Sequence, residues 1–471
     1  MTRPGTRGKL VRSMPPLTRR GFLAATASLL AAPPRSWRRL AASRSARPAP
    51  TPSQLAWQRD ELALFLHFGV NTFTDREWGD GREDPAIFAP ARLDARQWAG
   101  AARAGGFRAM ILTAKHHDGF CLWPSRTTDH SVAKSPWRDG RGDVVREFVD
   151  ACRAEGIKPG LYLSPWDRNA PVYGDSPRYN DLYAAQLTEL LTGYGPIHEV
   201  WFDGANGEGP SGRRQEYDWP RVFGLVRRLQ PDAVMFSDAG PDIRWIGNER
   251  GAAGETNWST MDPRAVPYPG APGDAVLQAL RTGDPAGTVW RPGETDTSIR
   301  PGWFYHPAED AKVRTVDELV ELYFTSVGRN SKLLLNVPPT RDGLLHDTDV
   351  ARLAGMRARL GELFATDLAA GRRADWRSTG PRSSAAEIDL GREAAVAIAD
   401  LREDITRGQI VARYALDGWA DGAGWRPLSR GTTIGCRKLD RFEPATVRRV
   451  RLTIDDALEP PRPVGVALFG P

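Results

Sequence analysis

Cysteine is scarce in this chain. Three residues in 471, Cys121, Cys152 and Cys436, stand far apart. Three thiols cannot build a dense disulfide framework, and their spacing matches no cysteine-rich metal site, so redox and structural-metal functions are set aside. No stretch is both long and apolar enough to cross a bilayer, which takes roughly 18 residues or more. No glycine-rich phosphate loop follows any strand-like run, which counts against a nucleotide-binding open sheet. Histidine is also rare, with seven in the whole chain.

An excess of one charge is missing too, once its position is considered. The chain carries a formal net charge of +6, but residues 1–50 hold 11 Arg or Lys and no Asp or Glu. With those 11 set aside, 53 basic side chains face 58 acidic ones, a net charge of −5. The body therefore offers no electrostatic reason to bind nucleic acid. The basic leader is a targeting segment in composition. Thr18-Arg19-Arg20-Gly21-Phe22-Leu23 precedes a short Ala-rich run from Ala24 to Ala32, a pattern similar to a twin-arginine export signal. The competing reading is a disordered basic tail. A Pro/Ala/Arg/Ser linker follows from Pro33 to Pro52. Residues 1–50 are thus expected to direct export, to the periplasm or outside the cell. Passage in a folded state, usual for this route, suits a chain that does not depend on disulfides.

What the chain does have is length for a barrel plus a smaller module, 16 Trp, and alternating strand-like and helical stretches. Leu62–Gly69 is a continuous apolar run ending in polar residues, as expected of a strand buried on both faces. Arg108–Lys115, Pro159–Ser164, Glu199–Gly204 and Ala233–Asp238 repeat the pattern, with helical spacing over 96–104, 144–155, 180–192 and 221–229. Five such cycles argue for a parallel α/β architecture. Helices over 315–328 and 347–364 flank another buried run, Lys332–Val337. Residues 239–306 are loop-rich and hard to parse. The fold class is α/β, with a (β/α)8-like barrel over 53–367 as the reading and a doubly wound open sheet as the runner-up. Gly, Arg, Ser and Pro concentrate over 368–382, and alternating runs such as Val447–Ile454 then predict a small C-terminal β-sandwich over 383–471.

In such barrels the active site forms at the C-terminal ends of the strands, and here those ends carry reactive side chains. They are His67-Phe68-Gly69, Lys115-His116-His117-Asp118-Gly119-Phe120, Tyr162-Leu163-Ser164 and Trp201-Phe202-Asp203-Gly204. Further strings are Glu77-Trp78, Gly247-Asn248-Glu249, Glu294-Thr295-Asp296-Thr297, Gly302-Trp303-Phe304-Tyr305-His306, Gly328-Arg329-Asn330-Ser331 and Leu334-Leu335-Asn336-Val337-Pro338-Pro339. In this order, over about residues 53–365, they resemble glycoside hydrolase family 29, the α-L-fucosidases.

The resemblance implies a retaining exo-glycosidase that releases terminal α-L-fucose from fucosylated oligosaccharides or glycoconjugates. It gives Asp203 as nucleophile and Glu249 as acid/base, at the position used by the α-1,3/4-selective subfamily. Glu255 is a nearby rival for the acid, and Glu294 and Asp296 are weaker ones. His67, His116, His117, Glu77, Trp78, Tyr162 and Trp201 would complete the sugar pocket. Trp303 either stacks on the sugar's apolar edge or packs in the core. A divalent metal on His67, His116, His117 and Asp118 is disfavoured, because neighbouring residues on a regular strand point to opposite faces. No cofactor is implied. Lys115 is expected to pair with a buried carboxylate, and 329–339 to close the barrel. For Asp203 the bland alternative is a helix N-cap. Two further readings are a broader or related 6-deoxyhexosidase and a non-catalytic sugar-binding barrel.

Overall fold

The computed structural model describes residues 47–471; the twin-arginine motif lies outside the described residues. Strands β1 (Leu62–Leu66), β2 (Ala109–Lys115), β3 (Lys158–Leu163), β4 (Glu199–Trp201), β5 (Val234–Phe236) and β6 (Arg244–Trp245) follow in chain order. A short antiparallel pair, β7 (Thr260–Met261) and β8 (Val289–Trp290), comes next, then β9 (Gly293–Ser298) and β10 (Ser331–Asn336). Without that pair, the strands form one parallel sheet in the order β5-β4-β3-β2-β1-β10-β9-β6. Its two edges meet at a parallel bridge between Phe236 and Ile243, and the Ile243 N–H donates to the Met235 carbonyl at 3.1 Å. The sheet is therefore a nearly closed barrel, not a doubly wound open sheet.

The helices arise where capping residues precede helical spacing. Helix α1 (Pro52–Asp60) opens with a capping box, in which Thr51 and Gln54 satisfy each other's backbone N–H. Helices α2 (Val70–Thr74) and α3 (Ala95–Ala104) join β1 to β2. Helices α4 (Val144–Ala154), α5 (Ser176–Gly193) and α6 (Trp219–Leu229) make the next three crossovers. Asp94, Asp143 and Asp218 accept from first-turn N–H groups of α3, α4 and α6. No helix lies between β5 and β6. Helix α7 (Asp274–Thr282) falls between β7 and β8, and α8 (Val316–Thr325) and α9 (Asp347–Leu363) follow β9 and β10.

The continuous apolar runs have a simple cause. Leu62, Leu64 and Leu66 of β1 pack outward against the helices, while Ala63 and Phe65 fill the barrel interior with Ile111, Tyr162, Trp201, Phe236 and Leu334. Both faces are dry. Strand β9 breaks this rule: its sequence is Gly-Glu-Thr-Asp-Thr-Ser, yet every residue is buried. Most of its polar groups find partners on other strands, as when Trp201 Nε1 donates to Glu294 Oε1 at 3.0 Å, although Glu294 Oε2 is buried without one. That is why an apolarity reading of 239–306 finds no strand there.

The C-terminal part is a separate six-stranded antiparallel sheet of β11 (Asp375–Gly380), β12 (Ser383–Arg402), β13 (Val411–Ala420), β14 (Gly424–Gly431), β15 (Lys438–Ala457) and β16 (Gly465–Phe469). Strands β12 and β15 are 20 residues each and carry breaks in register, so the sheet bends around its own core of residues such as Ile388, Leu416, Val447 and Leu452. Strand β11 falls inside the stretch read as a boundary. Its exposed, polar residues give no alternating signal.

Candidate active site

Thirteen residues line a pocket of about 240 Å3 at the mouth of the barrel. All ten site residues named from the sequence are among them, joined by Phe65, Ala205 and Asp296. The lining contains four carboxyl groups and three imidazoles, and neither Lys nor Arg.

Asp203 follows β4 directly. Its Oδ1 accepts from the Ala205 N–H at 2.7 Å and its Oδ2 from the Tyr162 hydroxyl at 3.2 Å, with His117 Nε2 at 4.0 Å from the same Oδ2. The helix after β4 is capped by Asp218, so Asp203 caps no helix. Two donors fix the carboxylate with one face toward the cavity.

Two of the histidines are each oriented by a hydrogen bond at Nδ1. Asn336 Nδ2 donates to the Trp303 carbonyl at 2.8 Å and to Ser298 Oγ at 2.9 Å. Its Oδ1 therefore faces His67 Nδ1, 2.8 Å away, and Nδ1 must carry the proton. By the same logic Ser164 Oγ donates to the Trp166 carbonyl and accepts from His117 Nδ1, both at 2.7 Å. In both rings Nε2 is left as an acceptor. Burial pushes His67 down to about 3 and lowers His116 and His117, the latter against the opposing pull of Asp203. The His116 and His117 rings lie side by side, centroids 4.1 Å apart. They are not on opposite faces as strand geometry predicts, because β2 ends at Lys115 and both belong to the loop. His116 Nδ1 is buried without a hydrogen-bond partner, 3.9 Å from Asp118 Oδ2.

Glu249 follows β6 on a turn that needs Gly247 at φ +82°. Asn248 ties the turn through the Ala252 carbonyl and the Arg250 N–H. Partial burial raises Glu249 above the ordinary carboxyl range, the Asp203 charge raises it further, and the Trp303 side chain acts the other way. Glu255 is placed elsewhere. It is exposed, ion-paired with Arg329 and with Lys438 at 2.9 Å. Its slight burial would raise it, but Lys438 and Arg329 outweigh this and hold it below the ordinary range. The loop turns Glu255 toward the C-terminal sheet, outside the pocket lining. Glu294 sits inside the barrel beside Glu199 and Lys332.

Several placements refine the sequence reading. Glu77 lines the pocket, but its carboxylate is heavily engaged. It accepts from the Trp303 N–H at 2.9 Å, the Phe304 N–H at 3.0 Å and His306 Nε2 at 2.7 Å. Trp303 is a pocket wall, 5.1 Å from the His67 ring between centroids. Trp78 is 59% exposed and meets Trp166 edge-on at 5.7 Å, forming a wet aromatic rim. Lys115 pairs with Asp167 at 2.9 Å, fully buried, as expected. Asn336, in the segment read as barrel closure, does close the barrel through β10, and it also sets the His67 tautomer. Sequence reasoning gave Asp296 only as a weaker candidate for the acid/base. The structure puts it in the pocket wall, bonded by Trp245 Nε1 at 2.7 Å, with burial and the Glu249 charge raising it well above the ordinary range.

The sequence matches the α-L-fucosidase family over residues 46–361. It is 42% identical over 442 residues to alpha-L-fucosidase 1 of Arabidopsis thaliana, covering 88% of this chain and 86% of that one. Among solved structures, a glycoside hydrolase 29 family member from a rumen bacterium is 41% identical, with a TM-score of 0.83 over 90% of this chain and 78% of its own. A family 29 fucosidase of Ruminococcus gnavus, solved in complex with fucose, is 30% identical, with a TM-score of 0.80 over 91% of this chain and 96% of its own. With the barrel, the pocket and the match over most of the chain in agreement, this chain belongs to the α-L-fucosidases of glycoside hydrolase family 29.

Proposed function

We propose that the protein hydrolyses terminal α-L-fucosides with net retention, through a covalent fucosyl ester on Asp203. One observation carries this reading. Glu249 and Asp203 share a small pocket in which burial and the Asp203 charge favour the protonated form of Glu249. The two carboxyls are thus driven into the acid and carboxylate roles the reaction needs. Asp203 attacks the anomeric carbon while Glu249 gives its proton to the departing glycosidic oxygen. Glu249, now a carboxylate, takes a proton from water as that water attacks the same carbon. The C–O ester bond breaks, Asp203 is released as carboxylate and fucose leaves with its starting configuration.

His67 and His117, each with a free Nε2 lone pair, accept hydrogen bonds from sugar hydroxyls. A pocket lined by four carboxyls and no cation also favours the positive charge that develops on the sugar ring. The α-1,3/4 preference rests on the resemblance around Glu249. Export rests on Arg19-Arg20 and the Ala-rich run. The relative solved with fucose adds weight to the sugar.

The test is fucose release from branched Lewis-type trisaccharides, 2′-fucosyl lactose and an aryl α-L-fucoside, with product configuration followed by NMR. Release of β-free α-L-fucose first, from branched substrates and only weakly from the α-1,2 isomer, is the expected result. Equal release from all three removes the linkage preference and leaves a broad fucosidase. Binding without release would mean a sugar-binding barrel. For export, changing Arg19-Arg20 to Lys-Lys should retain the protein in the cytoplasm; unchanged export would sink that part.

A further inference from the structure

His306 touches two carboxylates at once. Its Nδ1 is 2.8 Å from Asp75 Oδ1 and its Nε2 is 2.7 Å from Glu77 Oε1. A carboxylate only accepts, so both ring nitrogens must donate, and the ring that fits is the doubly protonated imidazolium. Glu77 in turn accepts from the Trp303 and Phe304 N–H groups. The Trp303 carbonyl accepts from Asn336, which also holds His67. A hydrogen-bonded chain therefore runs from His306 through Glu77 and the Trp303 loop to the pocket wall. Gly302, where a Cβ would lie 2.4 Å from Glu77 Oε1, lets that loop close onto the carboxylate.

We propose that His306, as a cation between Asp75 and Glu77, is a positioning residue that sets the Trp303 wall of the sugar pocket, so that fucoside binding weakens when His306 loses its proton. Three carboxylates face the ring: Asp75, Glu77 and Glu309, which accepts from the Gly302 N–H at 3.1 Å. Arg341 is the opposing cation, 4.0 Å from Asp75. Partial burial would lower His306, but the hydrogen bonds its ring donates to Asp75 and Glu77 outweigh it and raise the group above the ordinary histidine range. The sign follows. Whatever the charged clamp contributes is fully present below the ordinary histidine range and is lost as pH rises through the raised value. Without the second N–H, one carboxylate faces a bare nitrogen lone pair and the loop loses its tie.

This inference rests on the fucosidase reading, and the experiment separates the two. KM and kcat for an aryl α-L-fucoside are measured from pH 5.5 to 9.5 in the wild type, His306→Gln and Asp75→Asn. In the wild type KM should rise about tenfold across an alkaline step, the scale of one charge-assisted hydrogen bond. His306→Gln should show the high KM throughout with no step, and a kcat changed far less. Asp75→Asn removes one anionic neighbour and should move the step to lower pH. A wild-type KM flat across the range, or a step that survives His306→Gln, overturns the proposal. If no fucoside is cleaved, the fucosidase reading fails alone. The clamp is then judged by NMR titration of the His306 ring, which must hold its proton beyond the ordinary histidine range and lose it earlier in Asp75→Asn.

Discussion

At the residue scale the pocket is a problem in keeping protons where they are needed. Asp203→Asn should lower kcat roughly a thousandfold or more, with fucose still bound, as measured by calorimetry. Glu249→Gln should cost about 10²- to 10⁴-fold on a glycan and much less on an aryl fucoside whose leaving group needs no proton. Because Glu249 is raised by burial and by Asp203, the acid form persists to higher pH than for a free carboxyl. Activity then falls as pH rises through the raised value, and this alkaline limb of kcat should vanish in Glu249→Gln. A limb that survives would move the acid elsewhere. Asn336→Ala should raise KM about tenfold, since His67 loses the acceptor that fixes its tautomer; an unchanged KM would show that the ring holds its orientation without it.

At the element scale, the loops after the strands carry the chemistry and the caps hold the helices that support them. Thr315 and Glu318 form a capping box at the start of α8, and neither lines the pocket. Thr315→Ala should cost about 1 kcal/mol of stability in denaturant unfolding and leave kcat/KM unchanged. Much of this scale was legible beforehand. The apolar strands of the first half and the reactive residues at their ends could be read from local pattern, whereas the Asp and Thr caps came with the structure. Strand β9 could not be, because its residues are polar and buried only against partners from other strands. The absence of a helix between β5 and β6 left no pattern to find either.

At the scale of the whole molecule, the barrel interior beneath the site holds charge. Glu199 and Lys332 are completely buried and 3.4 Å apart, and Trp57 Nε1 donates to Glu199 at 2.8 Å. Burial, followed by the Glu199 charge, raises Glu294 well above the ordinary carboxyl range. Lys332→Met strands an anion in a dry space and should cost about 3–5 kcal/mol, read as a fall in the unfolding midpoint. Lys332→Met with Glu199→Gln should recover a substantial part of that; no recovery would mean the two are not coupled. The C-terminal sheet is tied to the barrel by another buried cation. Arg437 bonds Asp400 and Glu61, each at 2.8 Å, and the Tyr323 hydroxyl.

The sequence by itself determined the barrel and the β-rich tail, and it named ten of the side chains that line the pocket. Strand apolarity and motif order are local properties, and they survive without coordinates. Only the tertiary structure gave Glu249 and Glu255, six residues apart in one loop, their different surroundings. The difference lies in which carboxyl is turned toward Asp203 and partly dried, and which toward Arg329 and Lys438. It likewise assigned Asn336 and Ser164 to the histidine tautomers and His306 to the Glu77 clamp. Such roles depend on distance and on where each proton resides, and residues far apart in the chain acquire them only when the barrel closes.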